Sequence, residues 1–206
     1  MFYSQPCTRQ DEWVVEKTGG MRGGYFVEVG AHDGIHHSNT LHLERELGWG
    51  GVLVEANPDL YQSLLKNRPE AHCLNVACGA MNGDDEFILG DAFGGLKRYM
   101  PSDWLEQHDF RGNPTITVPV RTLDDIVRDV GIGFINYLSV DVEGAEYDIL
   151  EQFFFGRYRK CCPKLISVEF RYEGVLLERL RELLEPKGYV LDRVNAFDAL
   201  FERRDQ

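Results

Sequence analysis

The sequence predicts an α/β protein built on a mostly parallel sheet with helices on both faces. Strands and helices alternate over most of the chain, as parallel pairing with helical crossovers requires. The first strand runs straight into a glycine turn, "YFVEVGAHDG" (25–34). The last two strands, "YVLDRV" and "DALFER", are joined too closely for a helical crossover, so one of them runs antiparallel.

The elements follow in order. "QDEWVVEK" (10–17) is a helix in an N-terminal lead-in over 1–24, and "TGGMRGG" breaks the chain before the strand at 25–30. Residues 38–47 are helical, with Ser38 or Asn39 as cap and Leu43 and Leu47 on one face. "GGVLVEA" (50–56) is a short buried strand. "PDLYQSLLKNR" (58–68) is a helix with Pro58 at its start and Leu60 and Leu64 inward. "AHCLNVACG" (71–79) reads as one strand and "DEFIL" (85–89) as a hairpin strand. Residues 90–115 are irregular, and a loop that long is a candidate lid over a binding site. "ITVPV" is extended, and Thr122 caps the helix "TLDDIVRDV". "INYLSVDVEG" (135–144) is a strand ending in acid. The helix "AEYDILEQFFF" aligns Ala145, Ile149 and Phe153. "KLISVEF" is a strand, and "GVLLERLRELLEP" turns Leu176, Leu180 and Leu183 or Leu184 inward.

The 206 residues suit one domain, and 43% hydrophobic with 27% charged residues is ordinary for a globular protein. No apolar run reaches the roughly 20 residues of a membrane span, and "MFYSQPCTRQ" lacks the features of a signal peptide. A net charge of -12 with no Lys/Arg-rich stripe, the local cluster "GRYRK" (156–160) reading as a solvated loop, argues against nucleic acid as a partner. The five cysteines form neither a zinc signature nor a disulfide framework. Free thiols in a reducing cytoplasm are the expectation.

A ligand of an open parallel sheet sits outside the carboxyl ends of its strands, where the strand order reverses. Glu28, Gly30 and Gly34 lie at the end of the first strand. The spacing is GxxxG rather than the GxGxxG of a dinucleotide site. Glu28 and Asp33 would repel a pyrophosphate but suit a sulfonium, as in S-adenosyl-L-methionine (SAM). Glu55 ends the second strand about 20 residues on, where an acid can accept both hydroxyls of a ribose. SAM and NAD share that ribose, so Glu55 does not choose between them.

Three blocks in order, "GYFVEVGAHDG", "SNTLHLERELGWGGVLVEANP" and "LSVDVEGAEYDIL", resemble the FkbM family of SAM-dependent methyltransferases. "YSQ" and "QDEWV" near the start resemble one branch of it. The resemblance implies a Rossmann-like class I methyltransferase fold: a seven-stranded sheet, mostly parallel, with the final strand antiparallel. It implies that Glu28, Gly30 and Gly34, with Ala31 and Asp33 in the same turn, surround the methionine end of SAM. Glu55 would hold the ribose, Ala56 and Asn57 would lie beside the adenosine, and Cys78 would border the adenine. The segment around Asp91 does not match the family pattern cleanly.

"SVDVEGAE" places Asp141, Glu143 and Glu146 close in sequence, and on a strand Asp141 and Glu143 share a side. Glu169 ends the fifth strand of the parallel series, on the same rim. Methyl transfer to a hydroxyl needs a general base or a divalent cation. Asp141 and Glu169 are candidate ligands for Mg²⁺ or Mn²⁺. Without metal, Asp141 or a histidine, His36 or His37, takes the proton. Glu143 and Glu146 can equally cap the following helix. His108 and the aromatics Phe93, Tyr99 and Trp104 in the long loop are candidates for acceptor contact or for plugging the sheet end.

The expected function is SAM-dependent O-methylation of a sugar or glycan hydroxyl. The carbohydrate acceptor is implied by the resemblance, which also leaves lipid or polyketide acceptors open. An NAD-dependent oxidoreductase and a non-catalytic binding domain are the alternatives. The chain is short enough to be one domain of a longer glycan-modifying protein.

Overall fold

The computed structural model describes residues 1–90, 93–100, 105–106, 112–155, 162–170 and 175–204, the Phe155 side chain excepted. Asp91, Trp104, His108, the 156–160 basic cluster and Cys161 lie outside the described residues.

Among the described residues the helices are α1 (Gln10–Thr18), α2 (Leu41–Leu47), α3 (Pro58–Asn67), α4 (Leu123–Val130), α5 (Glu146–Phe155) and α6 (Leu176–Leu184). The main sheet contains β1 (Tyr25–Val29), β2 (Gly50–Val54), β3 (His72–Leu74), β8 (Tyr137–Val140), β9 (Leu165–Glu169), β10 (Tyr189–Asn195) and β11 (Asp198–Arg203). Its order is β10-β11-β9-β8-β1-β2-β3. β3, β2, β1, β8 and β9 pair in parallel, and β11 runs antiparallel to both β9 and β10. From β1 the chain builds outward through β2 and β3, then returns to β1's other side with β8. That reversal between β1 and β8 opens a crevice at their carboxyl ends.

Successive strand residues alternate faces, and the core divides accordingly. Val27, Val29, Val52, Leu138 and Ile166 pack with Ile126 of α4, Ile149 of α5 and Leu180 of α6. Phe26, Leu53, Tyr137 and Leu165 pack on the other face with Trp13 of α1, Leu43 of α2 and Leu64 of α3. Local signals agree with this plan. Asn57 accepts the Asp59 amide at 3.0 Å as the cap of α3, and Thr122 accepts the Asp125 amide at 3.2 Å as the cap of α4.

Three expectations need correction. The helix placed at 38–47 begins only at Leu41, because Ser38, Asn39 and Thr40 turn inward to bind Glu28. The strand placed at 71–79 divides into β3 and β4 (Ala77–Cys78). At the break, Asn75 donates to the carbonyls of Glu55 and Ala56 at 2.8 and 3.1 Å, ending the pairing with β2. Finally, β4 joins a second sheet of order β4-β7-β5-β6, with β5 (Gly83–Ile88), β6 (Gly95–Leu96) and β7 (Thr115–Arg121). The stretch 90–115, read as irregular, thus supplies β6 and a 3-10 turn at Lys97–Tyr99. No helix among the described residues is long and apolar enough to cross a membrane.

Candidate active site

A cavity of about 460 Å³ opens at the reversal point, a volume suited to a small-molecule cofactor. Its floor is the junction of β1 and β8. A Cβ on Gly30 would lie 1.7 Å from the Asp141 carbonyl oxygen, and Gly30 has φ +87°. Only glycine lets the two strand ends approach this closely. Ala31 beside it lines the cavity, and its amide, like that of Gly30, donates to the Val54 carbonyl at 3.0 Å.

Glu28 borders the cavity but is buried, with its carboxylate turned to the segment that follows the glycine turn. It accepts from the Asn39 amide at 2.8 Å, the Ser38 hydroxyl at 3.3 Å and the Thr40 hydroxyl. Burial raises its pKa, against the pull of Arg68 and these donors. Arg68 is fully buried and donates to the Gly34 carbonyl, Ser38, Thr40 and Glu44. Its guanidinium also lies 5.5 Å from the Phe26 ring centroid. A buried polar network therefore locks residues 34–40 to the sheet.

Asp33 and Gly34 do not line the cavity. Asp33 holds the turn, accepting the Ile35 and His36 amides at 2.9 Å and facing His36 Nδ1 at 2.5 Å. Those donors outweigh burial and hold its pKa at about 2. A Cβ on Gly34 would meet Leu64 at 2.6 Å and Arg68 at 2.7 Å, so this glycine serves the packing of α3.

Glu55 lies in the wall with one carboxylate oxygen on the His32 amide and the other on the Asn57 amide, both at 2.8 Å. Burial lifts its pKa to about 7. Ala56 and Asn57 continue the wall, and Asn57 also donates to the Gly90 carbonyl at 3.3 Å. Cys78 is buried there, its thiol pushed up to about 12 by burial. The second sheet completes this side with Phe87 and Leu96, and Phe93 joins them.

Asp141, Glu143 and Glu169 stand at the sheet's carboxyl rim, each offering an oxygen within 4.8 Å of the others. The reason differs from strand alternation. β8 ends at Val140, and Glu143 reaches the cluster from a turn in which its own φ is 63°. Glu146 shapes that turn, accepting the Val142 amide at 3.0 Å and the Gly144 amide at 3.0 Å. Its pKa is raised to about 7 by burial. Hence Glu146 serves the loop before α5, while Glu143 faces the cavity. His36 and His37 are exposed at the cavity wall. Tyr99 is absent from the lining and packs with both cores it borders.

Gln5 and Phe197 also line the cavity, and neither was among the expected site residues. Phe197 lies far in sequence from the glycine turn with no motif to mark it, whereas Gln5 is the last residue of the "YSQ" block, a resemblance that by itself assigns it no role at the site.

The fold comparisons agree with this architecture. The chain is similar to an METTL16 MTase domain, at 11% identity and a TM-score of 0.57, over 96% of this chain and 67% of that one. It is also similar to a precorrin-6y C5,15-methyltransferase from Geobacter metallireducens GS-15, at 9% identity and a TM-score of 0.50, over 100% and 94% of the two chains. A ribosomal protein L11 methylase from Lactobacillus delbrueckii subsp. bulgaricus matches at 8% identity and a TM-score of 0.50, over 96% and 78%. At such identities these likenesses show the class I methyltransferase fold alone. No curated protein matches the chain. The model of the methyltransferase FkbM domain matches residues 28–191, from the acid of the first strand to β10, and the chain therefore belongs to the FkbM family of SAM-dependent methyltransferases.

Proposed function

We propose that this enzyme transfers a methyl group from SAM to a hydroxyl of a sugar or glycan, with a divalent cation assisting. The reading rests above all on the three carboxylates of Asp141, Glu143 and Glu169, gathered within 4.8 Å at the cavity. Carboxylates this close repel one another unless a proton or a cation sits among them. Oxygen donors of this kind suit Mg²⁺ or Mn²⁺, which would lower the pKa of an acceptor hydroxyl.

The residues present fit the cofactor. Gly30 lets the ends of β1 and β8 close together beneath the cavity, and Glu55 with Ala56 and Asn57 supplies the ribose side. Cys78, Phe87 and Leu96 provide an apolar wall for a base. SAM supplies an electrophilic methyl on a sulfonium. The protein's part is to hold the acceptor oxygen in line with it, at about 3–3.5 Å, and to receive the proton. Asp141 and Glu169 are the proposed proton and cation holders. Phe93, among the described residues of 90–115, is the proposed acceptor cover, and residues 1–206 are proposed to act as a single methyltransferase unit. The net charge of -12 disfavours nucleic acid as acceptor. Membership of a methyltransferase family sets aside the NAD-dependent oxidoreductase and the non-catalytic binding domain.

The decisive measurement is transfer of labelled methyl from SAM to a panel of sugars and glycosides. Activity should vanish with chelator and return with Mg²⁺ or Mn²⁺. Asp141→Asn and Glu169→Gln should each lower kcat by about a hundredfold or more. Activity that persists in chelator sinks the cation. A metal-free reading would then stand on the contact between His36 Nδ1 and Asp33, an arrangement that orients a histidine as general base.

A further inference from the structure

The N-terminal segment folds back on the catalytic cavity. Fully buried Asp11 gathers it, accepting from the Tyr3 amide at 2.6 Å, the Ser4 amide at 3.3 Å and the Ser4 hydroxyl. On one side the strap rests on α2. The Met1 carbonyl meets His42 Nδ1 at 2.9 Å, the Phe2 and His42 rings stand 4.5 Å apart, and the Arg45 guanidinium lies 5.9 Å from the Tyr3 ring centroid. On the other side Asn195 donates to the Thr8 carbonyl at 2.7 Å, tying the strap to the β10–β11 hairpin. Phe197 of that hairpin lines the cavity, as do residues 36–39 just ahead of α2. The strap thus bridges two elements that both reach the cavity, and Gln5 between the anchors joins the lining.

The lining is rich in acids: Glu28, Glu55, Asp141, Glu143 and Glu169. The sulfonium and ammonium of SAM suit such a wall, but its carboxylate needs a hydrogen-bond donor. Ser38 and Asn39 already donate to Glu28 and Ser139. Gln5 Oε1 accepts from the Cys7 thiol at 3.7 Å, and among the described residues no hydrogen bond engages Gln5 Nε2.

We propose that Gln5 is a cofactor-binding residue whose side-chain amide donates to the α-carboxylate of bound SAM, with Asp11 as the positioning residue that holds the strap in place. This rests on the reading of the cavity as the SAM site.

The test is calorimetry with two probes: S-adenosylhomocysteine, which carries the amino-acid tail, and 5′-methylthioadenosine, which lacks it. Gln5→Ala should weaken S-adenosylhomocysteine about tenfold and leave methylthioadenosine within about twofold. Asp11→Ala should lower the same selectivity ratio, and the double variant should lower it no further than Gln5→Ala alone. A purely structural role for Asp11 would move both probes together. The melting temperature of Gln5→Ala should stay within about 2 °C of wild type. Unchanged affinity for S-adenosylhomocysteine in Gln5→Ala, or equal losses for both probes, overturns the proposal. Failure of the unmutated protein to bind either probe would overturn the cavity reading itself, and the role of Gln5 with it.

Discussion

Glu55 carries two demands that conflict. Its two backbone N–H partners favour the ionised form, whereas burial opposes ionisation and sets its pKa at about 7. In the proposed role, accepting both ribose hydroxyls, its carboxylate must be ionised. The ionised fraction rises from about a tenth at pH 6 to about nine tenths at pH 8. Affinity for S-adenosylhomocysteine should therefore increase about tenfold over that range, and Glu55→Gln should flatten the profile; calorimetry at the two pH values checks both. Gly30 is constrained by space rather than charge. Gly30→Ala would press a Cβ into the Asp141 carbonyl, at a cost of about 3 kcal/mol or more, and should abolish cofactor binding where the variant still folds. Both residues stand out in the sequence as a glycine and an acid at strand ends, and the structure places both at the cavity. Asp33 and Gly34, expected around the cofactor, lie outside the cavity lining. In a tight turn, residues of the same types can serve the turn itself.

At the scale of elements, α2 and the segment before it depend on a helix that is distant in sequence. Arg68, just past the end of α3, reaches Ser38, Thr40 and Glu44, and so joins two crossovers of the sheet. Arg68→Met would leave Glu44 without its guanidinium and Glu28 without the charge that counters its burial. Removing one partner of a buried ion pair typically costs about 3–5 kcal/mol. Urea unfolding should register a loss of that order, and cofactor affinity should fall with it as residues 34–40 loosen. Strand alternation predicted the convergence of Asp141 and Glu143, but a turn shaped by Glu146 produces it. The second sheet was only partly visible in the sequence. Its pairs join β4 to β7 and β7 to β5 across long separations, and period-two patterning carries no record of partner.

Across the whole molecule, acids held above their ordinary pKa govern stability. Glu55 and Glu146 both rise from 4.5 to about 7 on folding, and Glu28 rises as well. Between pH 4.5 and 7 the folded state therefore binds more protons than the unfolded chain, and stability falls as pH rises through that window. Each of the two shifts to about 7 corresponds to roughly 3 kcal/mol. Asp33, lowered to about 2, acts in the opposite sense but only at more acidic pH. The ligand-free protein should melt at a higher temperature at pH 5.5 than at pH 8, as thermal unfolding at the two pH values will show. The sequence by itself determined the alternating α/β plan, the acids and glycine at the strand ends and the family, because each resides in local pattern and spacing. Only the tertiary structure decided that Ser38, Asn39 and Thr40 belong to Glu28, that a second sheet walls the cavity and that Gln5 and Phe197 reach it. Those contacts join residues far apart in the chain, and burial and packing selected their partners where local sequence could not.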